Sequence, residues 1–600
     1  MGNITRRIWL PLICCFLVSL SSARAEDDAV MRAMRDELDR SMKQMRPENL
    51  DKPYFIAYRV IDATNSAIAA TLGSLISEQQ SHTRQLTVEV RVGDYSLDNS
   101  NFLSFSAFGR AGVVHGLGNT VRLPLEDDYK EIRRQIWLAT DAAYKKALED
   151  LARKRAALEN KTRGEDLPDF SKEKPVISHE NPVLMDLDPK RGEALVRQLS
   201  AVFRGVPEIS RSSVEIQASN EYTRYLNSEG TEYTRATPLL GLTARAGTQA
   251  SDGMPLSDAI TVYERTMAAL LNEQLEAQIR DMSKRLVELR SAPLVERYNG
   301  PVLFEGQASV EIFAEAFAPR LVATRRPTTD NPQFEMIFSR TVSPFQDRLG
   351  SRVLPEWASV TDDPTATEHN GSSLLGGYLV DDDGVRARKT VVVENGVLKT
   401  LLLARHPVPG MPQSTGNERG FGVAPTNLFF TVQNGLNGTA IRDKLLTLVT
   451  QRGKPYGIVV RRMRNWLAAD PQEMMQSAIG AFMPGLGGGG NGPARTAVLA
   501  YEVFPDGHEQ LIRNGQLEGL NETSFKDLVV GSVSQTVCNK LFLDIGNVVT
   551  GMLSGGAMVG QGTPPVVSFT VPDLVFDDVS VKPPSGDIPK PLLSKPPHGT

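Results

Sequence analysis

Seven histidines and three cysteines are the side chains in this sequence best suited to ligate a metal, and their spacing decides whether they can act together. A metallopeptidase centre needs two histidines on one helix face, a nearby Glu to deprotonate the bound water, and a further ligand from elsewhere. No pair of histidines here has helix-face spacing, and His179-Glu180 lacks a second His at the required distance. There is no G-x-S-x-G elbow, and the scattered histidines leave a serine or cysteine triad unsupported. Cys538 sits in an apolar stretch, Val533 to Phe542, that reads as helical and has no His close by, which predicts a buried thiol. Gly485, Gly487 and Gly490 satisfy G-x-G-x-x-G on paper. The segment that follows, Thr496 to Phe504, reads as a strand rather than the helix whose N-terminus would meet a pyrophosphate. Asp381-Asp382-Asp383-Gly384 lacks EF-hand spacing and the distal Glu, so a hairpin turn is expected there.

The elements that must position these residues begin with a short helix, Ala29 to Met45, and strands at Pro53 to Asp62 and Gln85 to Tyr95. Ile132, Ile136, Ala139, Ala143, Ala147 and Leu151 then share one face of a long amphipathic helix, Tyr129 to about Leu158. From Lys161 to Pro189 the chain has no period and reads as a linker or surface excursion. Strands at Ser213 to Ser219 and Glu221 to Tyr225 turn at Asn227-Ser228-Glu229-Gly230 and return at Glu232 to Thr237. The spacing of Leu256, Ile260, Tyr263, Met267 and the apolar residues beyond them predicts a helix from Ser257 to about Leu289, stopped by Pro293.

Past residue 300 helical periods become scarce and short strands take over. Tyr378 to Val380, Val385 to Glu394 and Val397 to Leu403 form an expected β-meander through the turn dipeptides Asp383-Gly384 and Asn395-Gly396. Residues 484–493 are a low-complexity glycine loop, and the Pro-rich tail at 582–600 is expected to be disordered.

Arg6-Arg7, the apolar run Ile8 to Leu20 and Ala23-Arg24-Ala25 together read as a secretory signal cleaved after Ala25. Its apolar run is too short to span a bilayer, where about 20 residues are needed. Export to the periplasm or medium is therefore expected, with no stable membrane insertion after cleavage. Cys14 and Cys15 lie inside the signal, which leaves one thiol and no internal disulfide. The net charge of −5 is made of interspersed signs without a basic stripe, which argues against nucleic acid as a partner.

Several stretches resemble, in order, the TldD/PmbA (TldD/TldE) metallopeptidase family. Gly300-Pro301-Val302-Leu303 and the helix Ser309 to Ala318 are similar to the segment that carries zinc ligands in TldD. Gly376-Gly377-Tyr378, Asp382-Asp383-Gly384-Val385 and Val393-Glu394-Asn395-Gly396-Val397-Leu398 resemble its hairpin and following strand. Ser414-Thr415-Gly416-Asn417 with Pro425-Thr426-Asn427 resembles its "STGN…PTN" loop. A helix at Leu528 to Ile545 and the run Gly562 to Val581 resemble its closing elements. Upstream, Tyr225 to Thr231 is similar to its middle-domain hairpin.

After the signal at 1–25, the resemblance implies an α+β fold: an N-terminal α/β domain at 26–165, a middle domain with hairpin and long helix at 166–296, and a C-terminal β-rich domain at 297–581. It also implies dimers, with themselves or as TldD/TldE pairs, that enclose a cavity for extended or unfolded peptides. The family's H-E-x-x-x-H falls on Ala314-Glu315-Ala316-Phe317-Ala318-Pro319, where only Glu315, in the family the general base, matches. Ala and Pro offer a metal no lone pair. The remaining ligand, a Cys, should fall near Gly551 to Gly555, where there is none; Cys538 lies upstream. The leading expectation is an exported, TldE-like, peptide-binding subunit with no cofactor, paired with itself or with a zinc-bearing paralogue. One alternative is an active metallopeptidase that recruits zinc through substitute ligands such as His369 or His406. Another is a non-enzymatic envelope scaffold that uses the long helix to bind a partner.

Overall fold

The computed structural model describes residues 28–45, 48–103, 119–159, 167–184, 186–329, 342–420, 422–464, 495–542, 564–584 and 588–592. The expected signal at 1–25, the glycine loop 484–493, the stretch 551–555 and the end of the tail lie outside the described residues.

The first half contains α1 (Ala29–Gln44), β1 (Pro53–Thr71), β2 (Ser74–Val92), β3 (Asn119–Arg122), α2 (Tyr129–Glu159), β4 (Ile177–His179) and α3 (Pro189–Ala201). It continues with β5 (Arg211–Asn227), β6 (Glu232–Gln249), β7 (Pro255–Glu264), α4 (Met267–Asn272) and α5 (Leu275–Leu289). Seven strands form one sheet in the order β3-β2-β1-β5-β6-β4, with β7 also paired to β6. Strands from both sides of residue 165 thus lie in a single sheet. β1 and β2 turn at Leu72 and Gly73, both with positive φ (46° and 73°), the mirror-image turn whose twist matches a hairpin.

Successive residues of a strand point to opposite faces, and β1 shows what each face meets. Ile56, Tyr58 and Val60 pack with Val30, Met34, Ile132 and Ile136 of α1 and α2. Ile68 and Ala70, of the same parity, pack with residues of α3 and α5 such as Val196, Ile279 and Met282. Phe55 and Ala57, of the other parity, pack with Phe170, Tyr225, Tyr233 and Val380. Helices therefore cover one face of the sheet, and the other is turned toward the second half of the chain.

That half contains β8 (Tyr298–Phe304), α6 (Gln307–Ala316), β9 (Ala358–Asp362), β10 (Thr390–Glu394), β11 (Val397–Leu398), β12 (Asn427–Val432) and α7 (Gly438–Gln451). It ends with β13 (Gly457–Met463), β14 (Thr496–Val503), β15 (Glu509–Ile512), β16 (Gly515–Glu518), β17 (Leu528–Leu541) and β18 (Val566–Lys582). The eleven strands run β11-β10-β9-β12-β18-β16-β14-β13-β8, with β15 on β14 and β17 on β18. β18 pairs with β8 as well, which closes β18-β16-β14-β13-β8 into a barrel. The fully buried ring of Phe313, on α6, lies 5.6 Å from Phe317 and 5.5 Å from Phe430 and fixes the helix on the core. The fold is α+β throughout, as expected.

Two expected helices are corrected. Residues 257–264 belong to β7, and the helical part starts only at Met267, where the Thr266 side chain accepts from the Ala269 N–H. Leu256 and Ile260 are four apart, a spacing that satisfies both a period of two and one of 3.6, so the apolar pattern could not separate strand from helix. Residues 528–541, expected to be helical with Cys538 among them, form β17, which pairs antiparallel with β18 and sets Cys538 opposite Phe569. Val529, Val530, Val533, Thr536 and Val537 are β-branched, and that composition outweighs the weak helical period.

Candidate functional site

Helix α6 carries Glu315, and the stacked rings of Phe313 and Phe317 hold it on the core, so its polar residues have fixed places. Glu311 is fully buried and accepts hydrogen bonds from the Met463 N–H (2.8 Å) and Gln307 Nε2 (2.9 Å). Lys540 Nζ, from β17, lies 3.3 Å from its Oε1. Glu315 follows one helical turn later, with its side chain 16% exposed and Arg495 Nε 4.0 Å from Oε2. Burial pushes the Glu315 carboxyl up to about 7, with Glu311 adding to the shift while Lys540 and Arg495 oppose it. Ala314 is partly buried against the core, and Pro319 sits in the 3₁₀ turn Ala318–Leu321 that follows the helix.

The other sequence candidates do not converge on Glu315. Cys538 shares a strand face with Lys540, and burial pushes its thiol up to about 11, so it is a protonated thiol packed on the core. His369 Nε2 is 3.0 Å from Gln535 Oε1, and the alternation along β17 puts residue 535 on the face opposite to 538 and 540. His406 packs beside Phe170, with Nδ1 3.3 Å from the Asp169 carbonyl oxygen. Burial and Arg91 hold its imidazole down at about 3. Among the described residues, no three His, Cys, Asp or Glu side chains converge as a metal site.

The Asp381-Asp382-Asp383-Gly384 turn, with Gly384 at φ 79°, docks the barrel half onto the open face of the first sheet. Asp382 pairs with Arg235 and, at 3.4 Å, with Arg59, while the Tyr225 hydroxyl donates to the Asp383 carbonyl oxygen at 3.2 Å. Arg405, fully buried, reaches Glu229 of the β5–β6 turn at 2.7 Å. The Asn417 and Thr426 loops converge on Asp362: Asn417 Nδ2 donates at 3.0 Å and the Thr426 N–H at 2.7 Å. At Gly376 an added Cβ would lie 2.0 Å from the Thr426 carbonyl oxygen. Gly376→Ala is therefore expected to cost about 1–3 kcal/mol, read as a lowered midpoint of thermal unfolding.

Beside this interface the open face of the sheet is concave. A cavity of about 330 Å³ is lined by the amide side chains of Asn65, Gln79, Gln80 and Gln217, with Tyr263 and, from β17, Leu541. It shares Ser219 and Leu239 with a second cavity of about 80 Å³ near Asp382. Amides that can both donate and accept suit a main chain, which presents both groups at every residue. Sequence reasoning missed these lining residues, along with Glu311, Lys540 and Arg495. Only Glu311 left a signal, as the residue four before Glu315 on the same helix.

Residues 297–478 match a family model described as the PmbA/TldA metallopeptidase C-terminal domain. This region of the chain belongs to the PmbA/TldD metallopeptidase family. Among curated relatives, a metalloprotease of Methanocaldococcus jannaschii is 43% identical over 82 residues, 14% of this chain and 17% of that protein. One of Archaeoglobus fulgidus is 41% identical over 76 residues, 13% of this chain and 16% of that protein. The chain thus matches less than a fifth of the length of these curated relatives. In fold it is similar to TldE of Thermococcus kodakarensis, with a TM-score of 0.52 and 14% identity over 92% of this chain and 100% of that one. A Thermotoga maritima structure described as a modulator of a DNA gyrase gives a TM-score of 0.55 at 14% identity, covering 91% of this chain and 99% of that one.

Proposed function

We propose that this chain is an exported, TldE-like member of the PmbA/TldD family that holds an extended or unfolded peptide without hydrolysing it. The observation that carries this reading is the donor set on and around α6. Zinc in a peptidase needs lone pairs from nitrogen, sulfur or oxygen at three protein positions. Here positions 314 and 319 are Ala and Pro, and Cys538 is packed on the core opposite Phe569. Lys540 and Arg495 already bring positive charge to the two carboxylates. A dication would have to enter against that charge, so these residues do not fit zinc. Without a metal to acidify a water, Glu315 is not a general base but a carboxyl group raised by burial.

The amide-lined cavity supplies the peptide-holding part. Ala67, on β1, lines it and is partly buried. Ala67→Trp is expected to weaken binding of a labelled unfolded peptide by about tenfold, because the indole occupies the space of the main chain. Fluorescence anisotropy measures this, and unchanged affinity would remove the peptide from this cavity. Partnership, in this reading, is with a second copy or with a zinc-bearing paralogue whose own site cuts the peptide. Co-expression tests it: cleavage that needs both chains supports the pairing, and full cleavage by the paralogue alone counts against it.

A further inference from the structure

The smaller of the two cavities is lined by four guanidinium groups, those of Arg59, Arg235, Arg265 and Arg419, against two carboxylates, Asp382 and Glu221. Asp382 is taken up by Arg235 and Arg59, and Glu221 has an interaction of its own. Arg265 and Arg419 are placed differently. Among the described residues neither pairs with a carboxylate. Arg265 Nη2 donates to the Leu375 carbonyl oxygen at 3.2 Å and Arg419 Nη1 to that of Gly376 at 3.3 Å. Arg419 also lies over the Tyr378 ring, 4.5 Å from its centre, which holds the guanidinium plane in one orientation. Each guanidinium has five N–H donors, so most of theirs remain open to a ligand. A further donor, Arg59 Nε, is buried with no hydrogen-bond partner among the described residues.

Arg265 and Arg419 lie near enough to repel each other, and among the described residues no carboxylate is within ion-pair distance of either, so an anion seated at both would relieve the arrangement. The electrostatics agree: desolvation of its head group holds Arg265 below its ordinary range, and Arg419 adds to that effect against the pull of Glu180 and Glu264. Planar guanidinium donors match the two oxygens of a carboxylate. The position gives the source. Because the two cavities share Ser219 and Leu239, a chain lying along the amide-lined cavity runs directly into the guanidinium end.

We propose that this end cavity is a carboxylate pocket that receives the C-terminal carboxylate of the held peptide, with Arg419 and Arg265 as its recognising groups. The proposal rests on the peptide-holding reading above and adds to it a preference for chain ends. It predicts that the protein grips a peptide by its terminus and leaves the upstream residues in register along the amide side chains.

The test uses the whole mature chain and one short unstructured peptide, labelled at its N-terminus, in three forms. One has a free C-terminal carboxylate, one is C-terminally amidated, and one is amidated but ends in Glu. Anisotropy titration is expected to show the free acid binding about tenfold tighter than the plain amide. The Arg265→Gln/Arg419→Gln double variant should erase that difference while its unfolding midpoint stays in place. If the double variant fails to fold, Arg265→Gln alone, at an exposed residue, must at least halve the difference. A Glu-ended amide that binds as tightly as the free acid would overturn the terminal assignment in favour of a side-chain carboxylate. Equal binding of acid and amide, or a difference that survives the substitutions, would overturn the pocket and leave the peptide reading intact. No binding of any form would overturn both.

Discussion

Lys540→Met is expected to destabilise the protein by about 3–5 kcal/mol. Glu311 is fully buried, and Lys540, 12% exposed, is the cation paired with it. A methionine of similar length fills the space but leaves the carboxylate without a counter-charge. The hydrogen bonds from Met463 and Gln307 remain and limit the loss. Replacing both partners removes the problem rather than half of it, so Glu311→Gln/Lys540→Met should recover most of the stability. Chemical denaturation of the two variants beside the parent measures both effects. A single variant as stable as the parent would mean that Lys540 does not neutralise Glu311.

Glu315→Gln is expected to act in the opposite direction, and only at neutral to alkaline pH. Its carboxyl group has an ordinary value of 4.5 in the unfolded chain and is raised to about 7 in the folded protein, chiefly by burial. The folded state therefore holds the proton more tightly. Stability from this group is complete below about pH 4.5 and is lost as pH rises through 7. At pH 8 the ionised carboxylate costs roughly 3 kcal/mol, which glutamine does not incur. The variant should thus unfold at a higher temperature than the parent at pH 8 and at the same temperature at pH 4. A variant that is destabilised at pH 8 would show that the ionised carboxylate is needed, as it would be beside a bound metal.

Much of the scaffold was legible because local chemistry dictated it. Asn395-Gly396 has positive φ at both residues (49° and 80°), as its hairpin requires, and the long helix runs Tyr129–Glu159 where its apolar stripe placed it. The misread segments are those where the pattern is silent. Leu256 and Ile260 fit two periods at once, and β17 is held by its long pairing with β18 rather than by alternation of its own. The site divides in the same way. Glu315 was singled out through its resemblance to the helix motif, whereas Lys540 reaches Glu311 across 229 residues of sequence. The four guanidinium groups of the end cavity come from β1, β6, the β7–α4 junction and the Asn417 loop, and only the folded chain assembles them. The Asp381–Gly384 turn lies between these cases. Its turn geometry was readable, but its role in docking the two halves depends on Arg59 and Arg235, which sit on strands far away in sequence.

The proposal that this chain holds no zinc site is tested most directly by elemental analysis of the protein purified alone, combined with an unfolded-peptide cleavage assay with and without a chelator. The account predicts zinc well below one atom per chain and no cleavage in either condition. One zinc per chain, together with cleavage that the chelator abolishes, would contradict it.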